Sequence, residues 1–101
     1  MIAEVRIYTI NKNQMHPWLE HFAEVKEVFK EVGISVVAAF VNRPQNEFIW
    51  IRTFEDEADR ESKMIAFRSA IEASGIKLGD YVAKMEFWTV EPALSATTFG
   101  V

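Results

Sequence analysis

Phe48-Ile49-Trp50-Ile51-Arg52-Thr53-Phe54 is the stretch around which the rest of the chain is organised. Its aromatic residues and its arginine alternate with isoleucine and threonine, and side chains at period two point to opposite faces of a β-strand. Because both faces carry large side chains, we expect a central strand of a sheet. The acid-rich segment Glu55-Asp56-Glu57-Ala58-Asp59-Arg60-Glu61 follows and begins a helix, with Asp56 as the expected N-cap.

Strand and helix patterns alternate along the rest of the chain. Residues 2–10 and 82–90 alternate at period two, and the almost continuously apolar run at 34–41 predicts a strand covered on both faces. Apolar residues at three- and four-residue spacing predict an amphipathic helix from Met15 to Val32, ended by Gly33. A weaker stripe from Ala58 to Ile71 predicts the second helix.

The order strand, helix, strand, strand, helix, strand predicts an α+β fold. It is the order of the ferredoxin-like βαββαβ sandwich, an antiparallel four-stranded sheet with two helices on one face. At 101 residues we expect a single domain over 1–101, with residues 92–101 as a C-terminal tail.

The two faces of the predicted sheet differ in composition. One set of residues is apolar and suits packing against the helices: Ala3, Val5, Ile7, Ile49, Ile51, Ala83, Met85 and Phe87. The other set mixes charges with large rings: Glu4, Arg6, Tyr8, Trp50, Arg52, Lys84, Glu86 and Trp88. Because such rings form a large apolar patch when exposed, we expect this second face to pack against the same face of a second copy. The result would be a dimeric α+β barrel with its charges paired inside.

Composition excludes several classes of partner. The net charge is −4, and no cluster of lysine or arginine is present, which argues against nucleic acid and anionic membranes. The chain has no cysteine, so disulfides and thiolate metal sites are excluded. We expect no signal peptide and no membrane span, because the first residues form a charged strand and no apolar run approaches ~18 residues. These features favour a cytoplasmic protein.

The opening Glu4-Val5-Arg6-Ile7-Tyr8-Thr9, the amphipathic helix and the passage from Phe48 to Glu61 resemble NIPSNAP-type domains of the dimeric α+β barrel superfamily. The likeness covers nearly the whole chain, although Ser74-Gly75-Ile76 stands where many such sequences have a tryptophan-containing segment. The resemblance implies a homodimer of ferredoxin-like subunits with a ligand cleft between sheet and helices. NIPSNAP-type proteins have no settled biochemical role. Their structural relatives include cofactor-independent monooxygenases, haem-degrading enzymes and isomerases, so the fold fixes no reaction.

His21 and Tyr8 are the candidates for proton transfer, whereas His16 falls on the polar, solvated side of the first helix. His21 lies beside the apolar stripe of the first helix, where it is predicted either to face the cleft as a haem ligand or proton shuttle, or to be a half-buried surface residue. Tyr8 is the second candidate catalytic residue. His16 is five residues from His21, off the spacing that brings two helical side chains together, so no metal site is predicted.

A second group of residues is predicted to bind the ligand: Trp18, Phe22, Trp50, Phe67 and Arg52. Arginine suits a carboxylate group, because its guanidinium forms two parallel hydrogen bonds with one. The alternative is an internal ion-pair network of Arg6 and Arg52 with Glu4 and Glu86.

Three functions stay open at this point. The first is a homodimer that binds a small, partly aromatic molecule in a cleft between sheet and helices. The second is a cofactor-independent or haem-dependent monooxygenase with His21 or Tyr8 in the site. The third is a structural dimerisation module whose tail at 92–101 straps a partner. No motif requires a cofactor, and haem is the cofactor that the resemblance suggests. No motif supports a hydrolase, kinase or dinucleotide dehydrogenase.

Overall fold

The computed structural model describes residues 1–77 and 79–93. Its elements are β1 (Ile2–Ile10), α1 (Met15–Glu31), β2 (Ser35–Asn42), β3 (Glu47–Phe54), α2 (Glu57–Ser74) and β4 (Val82–Val90). The four strands form one antiparallel sheet in the order β2-β3-β1-β4. This confirms the predicted ferredoxin-like sandwich and the central place of β3. Of the predicted tail, residues 94–101 lie outside the described part of the chain.

The end of α1 and the start of α2 follow the predicted local chemistry, whereas Gln14 at the start of α1 makes no side-chain capping hydrogen bond. Gly33 has a φ of 79°, a left-handed conformation that ends α1, and the next amide, that of Ile34, donates to the Phe29 carbonyl at 2.8 Å. At the start of α2, the Asp56 carboxylate accepts a hydrogen bond from the Asp59 amide at 2.8 Å. This N-cap fixes the direction in which α2 leaves β3.

The core lies between both helices and one face of the sheet, and aromatic rings dominate it. Phe22 on α1 contacts Phe48 on β3 with ring centroids 4.7 Å apart. Phe29 on α1 stacks on Phe67 at 4.5 Å and 15°. Since Phe67 is the one buried residue of α2, this stack is the principal apolar link between the two helices.

The face assignment made from the sequence is wrong, because the helices cover the charged face. Glu4 and Arg52 have 0% and 3% of their surface exposed and lie beneath the helices. Directly paired residues share a face, so the pairing of Arg6 with Phe87 places Phe87 on this covered face, and that of Val5 with Trp88 places Trp88 on the other. The physical reason is that Glu4 forms ion pairs with Arg6, Arg52 and Arg60 of its own subunit, so these charges do not need a second copy for a partner.

The other side of the sheet is largely apolar and uncovered, and we call it the open face. Its apolar residues are Val5, Ile7, Phe40, Ile49, Ile51, Trp88 and Val90. Its charged residues are Glu47, Lys84 and Glu86, of which Lys84 and Glu86 form an ion pair at 2.8 Å on β4 and so lie on the opposite face from Glu4, contrary to the sequence-based assignment. Phe40 is 62% exposed and Trp88 is 50% exposed. Every residue of β2, Phe40 included, is exposed or half-buried, so the prediction that this strand is covered on both faces is also wrong for the single subunit.

Candidate functional site

Three arginines converge on the fully buried carboxylate of Glu4. The Oε1 atom accepts hydrogen bonds from Arg52 Nε at 3.0 Å, from Arg52 Nη2 at 2.7 Å and from Arg6 Nη1 at 2.7 Å. The Oε2 atom accepts one from Arg60 Nε at 2.6 Å. Arg60 also contacts Glu57 at 3.0 Å. The cluster therefore joins β1, β3 and the first turn of α2.

The sheet register and the helix cap together produce this convergence. Glu4 lies directly opposite Arg52 in the antiparallel β1–β3 pair, and Arg6 shares the face of Glu4 because it lies two residues further along β1. Arg60 follows the Asp56 cap by one turn of α2, and the direction of that turn brings its guanidinium over Glu4.

Burial and charge act in opposite directions on these groups. Burial alone would raise the pKa of Glu4, but the Arg52 charge and the hydrogen bonds from the arginines outweigh it, so the pKa lies below its usual value of 4.5. Burial lowers the pKa of Arg52, and the positive charge of Arg6 lowers it further, while Glu4 acts in the opposite direction. Because Glu57 pairs with Arg60, Arg6 and Arg52 share the single negative charge of Glu4, and the cluster keeps a net positive charge.

A cleft of about 220 Å³ lies between the covered sheet face and the two helices, next to this cluster. Aromatic rings form most of its walls: Tyr8, Trp18, Phe22, Phe29, Trp50 and Phe67. Arg6, Arg52 and Arg68 supply its charges, and Val25, Met64 and Met85 complete the lining. The Tyr8 hydroxyl accepts a hydrogen bond from Arg6 Nε at 2.9 Å, which fixes the tyrosine ring beside the guanidinium.

The structure brings together six of the seven residues that the sequence singled out. All five predicted ligand-binding residues line the cleft: Trp18, Phe22, Trp50, Phe67 and Arg52. Tyr8 lines it as well. The wall beneath them is the charged, aromatic sheet face, whereas we expected the apolar one. Their role in binding stays a prediction.

His21 is not among the residues that line the cleft. Its ring lies 5.1 Å from that of Tyr81 and 6.0 Å from that of Trp18. Its Nε2 atom is buried and has no hydrogen-bond partner among the described residues. Of the two predictions for His21, the half-buried position agrees with the structure, where its side chain is partly buried beside Tyr81. A role of His21 in proton transfer stays a prediction.

The sequence analysis missed several members of the site that lie on α2. Arg60, Met64 and Arg68 recur at four-residue spacing, and residues four apart lie on one side of a helix. That spacing, beside the predicted Phe67, is a signal that could have identified this side of the helix as the one facing the sheet.

The described residues lack two kinds of site. Within residues 1–77 and 79–93, no three histidine, aspartate or glutamate side chains are grouped so that they could hold a metal ion. In the same part of the chain, neither helix combines the length and the apolar character needed to cross a membrane.

A ferredoxin-like α+β sandwich with an aromatic cleft between sheet and helices is the class that the fold and the site define. The NIPSNAP family model matches residues 3–92, so the chain belongs to the NIPSNAP family. No curated protein matches the chain by sequence.

Solved structures share this fold at low sequence identity. An uncharacterised NIPSNAP domain protein from Burkholderia xenovorans aligns with a TM-score of 0.82 and 13% identity, over 92% of this chain and 95% of that one. A protein from Nitrosomonas europaea, provisionally assigned as an antibiotic biosynthesis monooxygenase, aligns with a TM-score of 0.65 and 9% identity, over 93% and 100%. A variant of MhuD with two manganese protoporphyrin IX molecules bound per active site aligns with a TM-score of 0.72 and 10% identity, over 94% and 97%. At these identities the likeness shows the fold alone.

Proposed function

We propose that this NIPSNAP protein binds a small, partly aromatic molecule in the cleft between its sheet and its helices. The observation that carries the proposal is the cleft itself, about 220 Å³ in volume and walled by six aromatic side chains. Aromatic rings attract other rings in offset or edge-to-face arrangements, so these walls favour a flat ligand. Pockets for drug-sized ligands span about 300–1,000 Å³, so the ligand is expected to contain only one or two rings.

Blocking the cleft tests this proposal. We use 2-naphthamide as an uncharged two-ring probe and follow tryptophan fluorescence during a titration, because Trp18 and Trp50 both line the cleft. Met64→Trp is expected to fill the cleft and abolish the saturable signal. Ile65→Trp is the matched control, because Ile65 is the neighbouring residue on α2 and is 63% exposed. Equal binding by both variants would contradict the proposal, and so would the absence of saturable wild-type binding for both 2-naphthamide and its carboxylate analogue 2-naphthoate.

Haem does not fit this site. The cleft of about 220 Å³ is below the range for drug-sized ligands, and a porphyrin is larger than most of those. Neither histidine lines the cleft, and the Tyr8 hydroxyl is engaged by Arg6. The residues that line the cleft therefore offer no histidine to a haem iron.

The binding function is favoured over the two alternatives because the cleft is present and because Glu4 and His21 are not placed to act there as a general base. A general base must be able to accept a proton from the substrate, yet the Glu4 carboxylate is held by three arginines and His21 lies elsewhere. The monooxygenase alternative stays a prediction, to be tested by oxygen uptake with quinols. The structural-module alternative depends on the lack of a ligand-sized pocket, and the cleft argues against it.

We also propose that the protein acts as a homodimer formed through the open face. This face has seven apolar residues on four neighbouring strands, and large exposed apolar patches mark protein contacts. A second copy presents the same largely apolar surface, with the Lys84–Glu86 ion pair on the edge strand β4, and such a surface suits a two-fold contact of the face with itself. The dimer expected from the sequence is thus retained, but with the opposite side of the sheet at its centre.

A further inference from the structure

We infer that the ligand of the cleft is an aromatic carboxylic acid, bound as its carboxylate between Arg6 and Arg52. This inference rests on the proposed binding function and adds to it the chemical class of the ligand. Three observations support it: the hydrogen-bonding groups of the cleft, the balance of charge around Glu4, and the position of the arginines beside the aromatic walls.

The hydrogen-bonding groups of the lining are almost all donors. Arg6 Nη2 donates only to the Met85 thioether at 3.3 Å, and a thioether is a weak acceptor. Arg52 uses its Nε and Nη2 atoms on Glu4, while its Nη1 atom has no acceptor among the described residues. The buried Nε1 atoms of Trp18 and Trp50 also have no acceptor there. A ligand that completes these hydrogen bonds must therefore present acceptor oxygens.

The balance of charge favours an anion over a neutral acceptor. Arg60 has a second carboxylate, that of Glu57, but Arg6 and Arg52 share a single oxygen of Glu4. Arg68 lies at the same cleft with no carboxylate within 4.0 Å among the described residues. A carboxylate would therefore bring the missing negative charge, and a cationic ligand would be repelled.

The arginines lie beside the aromatic walls, which indicates a ligand whose carboxylate is attached to an aromatic ring. The Arg6 guanidinium lies 5.8 Å from the ring of Trp50, and that of Arg52 lies 5.1 Å from the same ring. Both guanidiniums thus lie against the aromatic wall, so a ring packed on that wall places an attached carboxylate within reach of them. Arginine pairs with carboxylate through two parallel hydrogen bonds, which fixes the orientation of the ligand.

The test compares 2-naphthoate with its uncharged analogue, 2-naphthamide, in titrations of the full chain at pH 7. We expect 2-naphthoate to bind at least about tenfold more tightly, the ratio typical of one charge-assisted hydrogen bond. Equal affinities would overturn the carboxylate assignment and leave the binding function intact. Failure of both probes to bind would overturn the binding function and the carboxylate assignment together.

A variant without the Arg6 charge tests whether the ligand carboxylate binds at Arg6. Arg6→Gln leaves Glu4 with two arginine partners and is expected to weaken 2-naphthoate binding about tenfold, with 2-naphthamide changed by less than about twofold. Arg43→Gln removes the same charge from the exposed β2–β3 turn and is expected to leave both affinities unchanged. If the two variants weaken 2-naphthoate equally, the carboxylate does not lie at Arg6 and the inference fails. Should Arg6→Gln fail to fold, the ratio of 2-naphthoate to 2-naphthamide affinity in the wild type decides whether the ligand is a carboxylate.

Discussion

Arg52 and Glu4 lie directly opposite each other on β3 and β1, and the guanidinium donates two hydrogen bonds, at 3.0 and 2.7 Å, to one oxygen of the carboxylate. Arg6 and Arg60 complete the set of donors around Glu4. A single buried carboxylate thus fixes two central strands and one helix in relation to one another. The same arrangement leaves two arginines at the cleft with unused hydrogen-bonding capacity.

Removal of the Glu4 charge is expected to destabilise the fold strongly. Glu4→Gln leaves three arginines without their shared anion, and breaking a buried ion pair costs roughly 3–5 kcal/mol. Urea unfolding at pH 7 measures this loss of unfolding free energy. Glu61→Gln removes an exposed carboxylate from α2 and should cost less than about 0.5 kcal/mol. Similar losses in the two variants would show that the arginine cluster does not stabilise the fold.

The contribution of Glu4 should disappear in acid. Its pKa is lower in the folded protein than the usual 4.5, so its stabilising effect is present above that pH and is lost as the pH falls through the folded pKa. The pKa of Asp59 is also lowered, chiefly by the hydrogen bond from the Glu55 amide, so the pH dependence of the wild type alone is not diagnostic. The gap in unfolding free energy between wild type and Glu4→Gln isolates Glu4. This gap should narrow below pH 4.5, and a gap independent of pH would contradict the assignment.

Loss of the Phe67 ring should detach α2 from the rest of the core. Phe67 is the one buried residue of this helix, and its ring stacks on that of Phe29. Phe67→Ala is expected to cost roughly 3–5 kcal/mol and to speed amide hydrogen exchange across α2. Ile65→Ala, on the exposed side of the same helix, should change neither quantity appreciably. Unchanged exchange in Phe67→Ala would mean that other contacts hold the helix.

The open face should control the oligomeric state. Ile49 lies at its centre, paired with Ile7 on one side and with Phe40 on the other, so Ile49→Glu places a charge in the middle of the proposed contact. Sedimentation velocity at micromolar concentration should show a dimer for the wild type and a monomer for this variant. Ile65→Glu alters an exposed apolar residue on the helical side and should remain dimeric. A monomeric wild type would contradict the proposed dimer.

The order and type of the elements could be predicted from the sequence because each rests on a local signal. Periodicity identified the strands and helices, Gly33 marked the end of α1, and Asp56 marked the start of α2. The face covered by the helices could not be predicted in this way. Period two separates the two faces of a strand but does not say which one is covered, and here both carry large side chains.

In the candidate site, too, the residues that follow a local pattern could be predicted, and the contacts between distant elements could not. Trp18 and Phe22 line the cleft because they belong to the apolar stripe of α1, and that stripe must face the sheet. The surroundings of Glu4 depend instead on Arg60, a residue 56 positions away on another element. The direction of His21 depends on Tyr81, which follows an irregular segment after α2. Neither relation has a periodic signature in the sequence.

The indole N–H resonances of the three tryptophans report directly on whether a ligand binds in the cleft. Trp18 and Trp50 line the cleft, whereas Trp88 lies on the open face and serves as an internal control. On addition of 2-naphthoate to ¹⁵N-labelled protein, we expect saturable shifts of the Trp18 and Trp50 Nε1–H signals with the Trp88 signal unmoved. Shifts confined to Trp88, or no saturable shift of any indole signal, would contradict it.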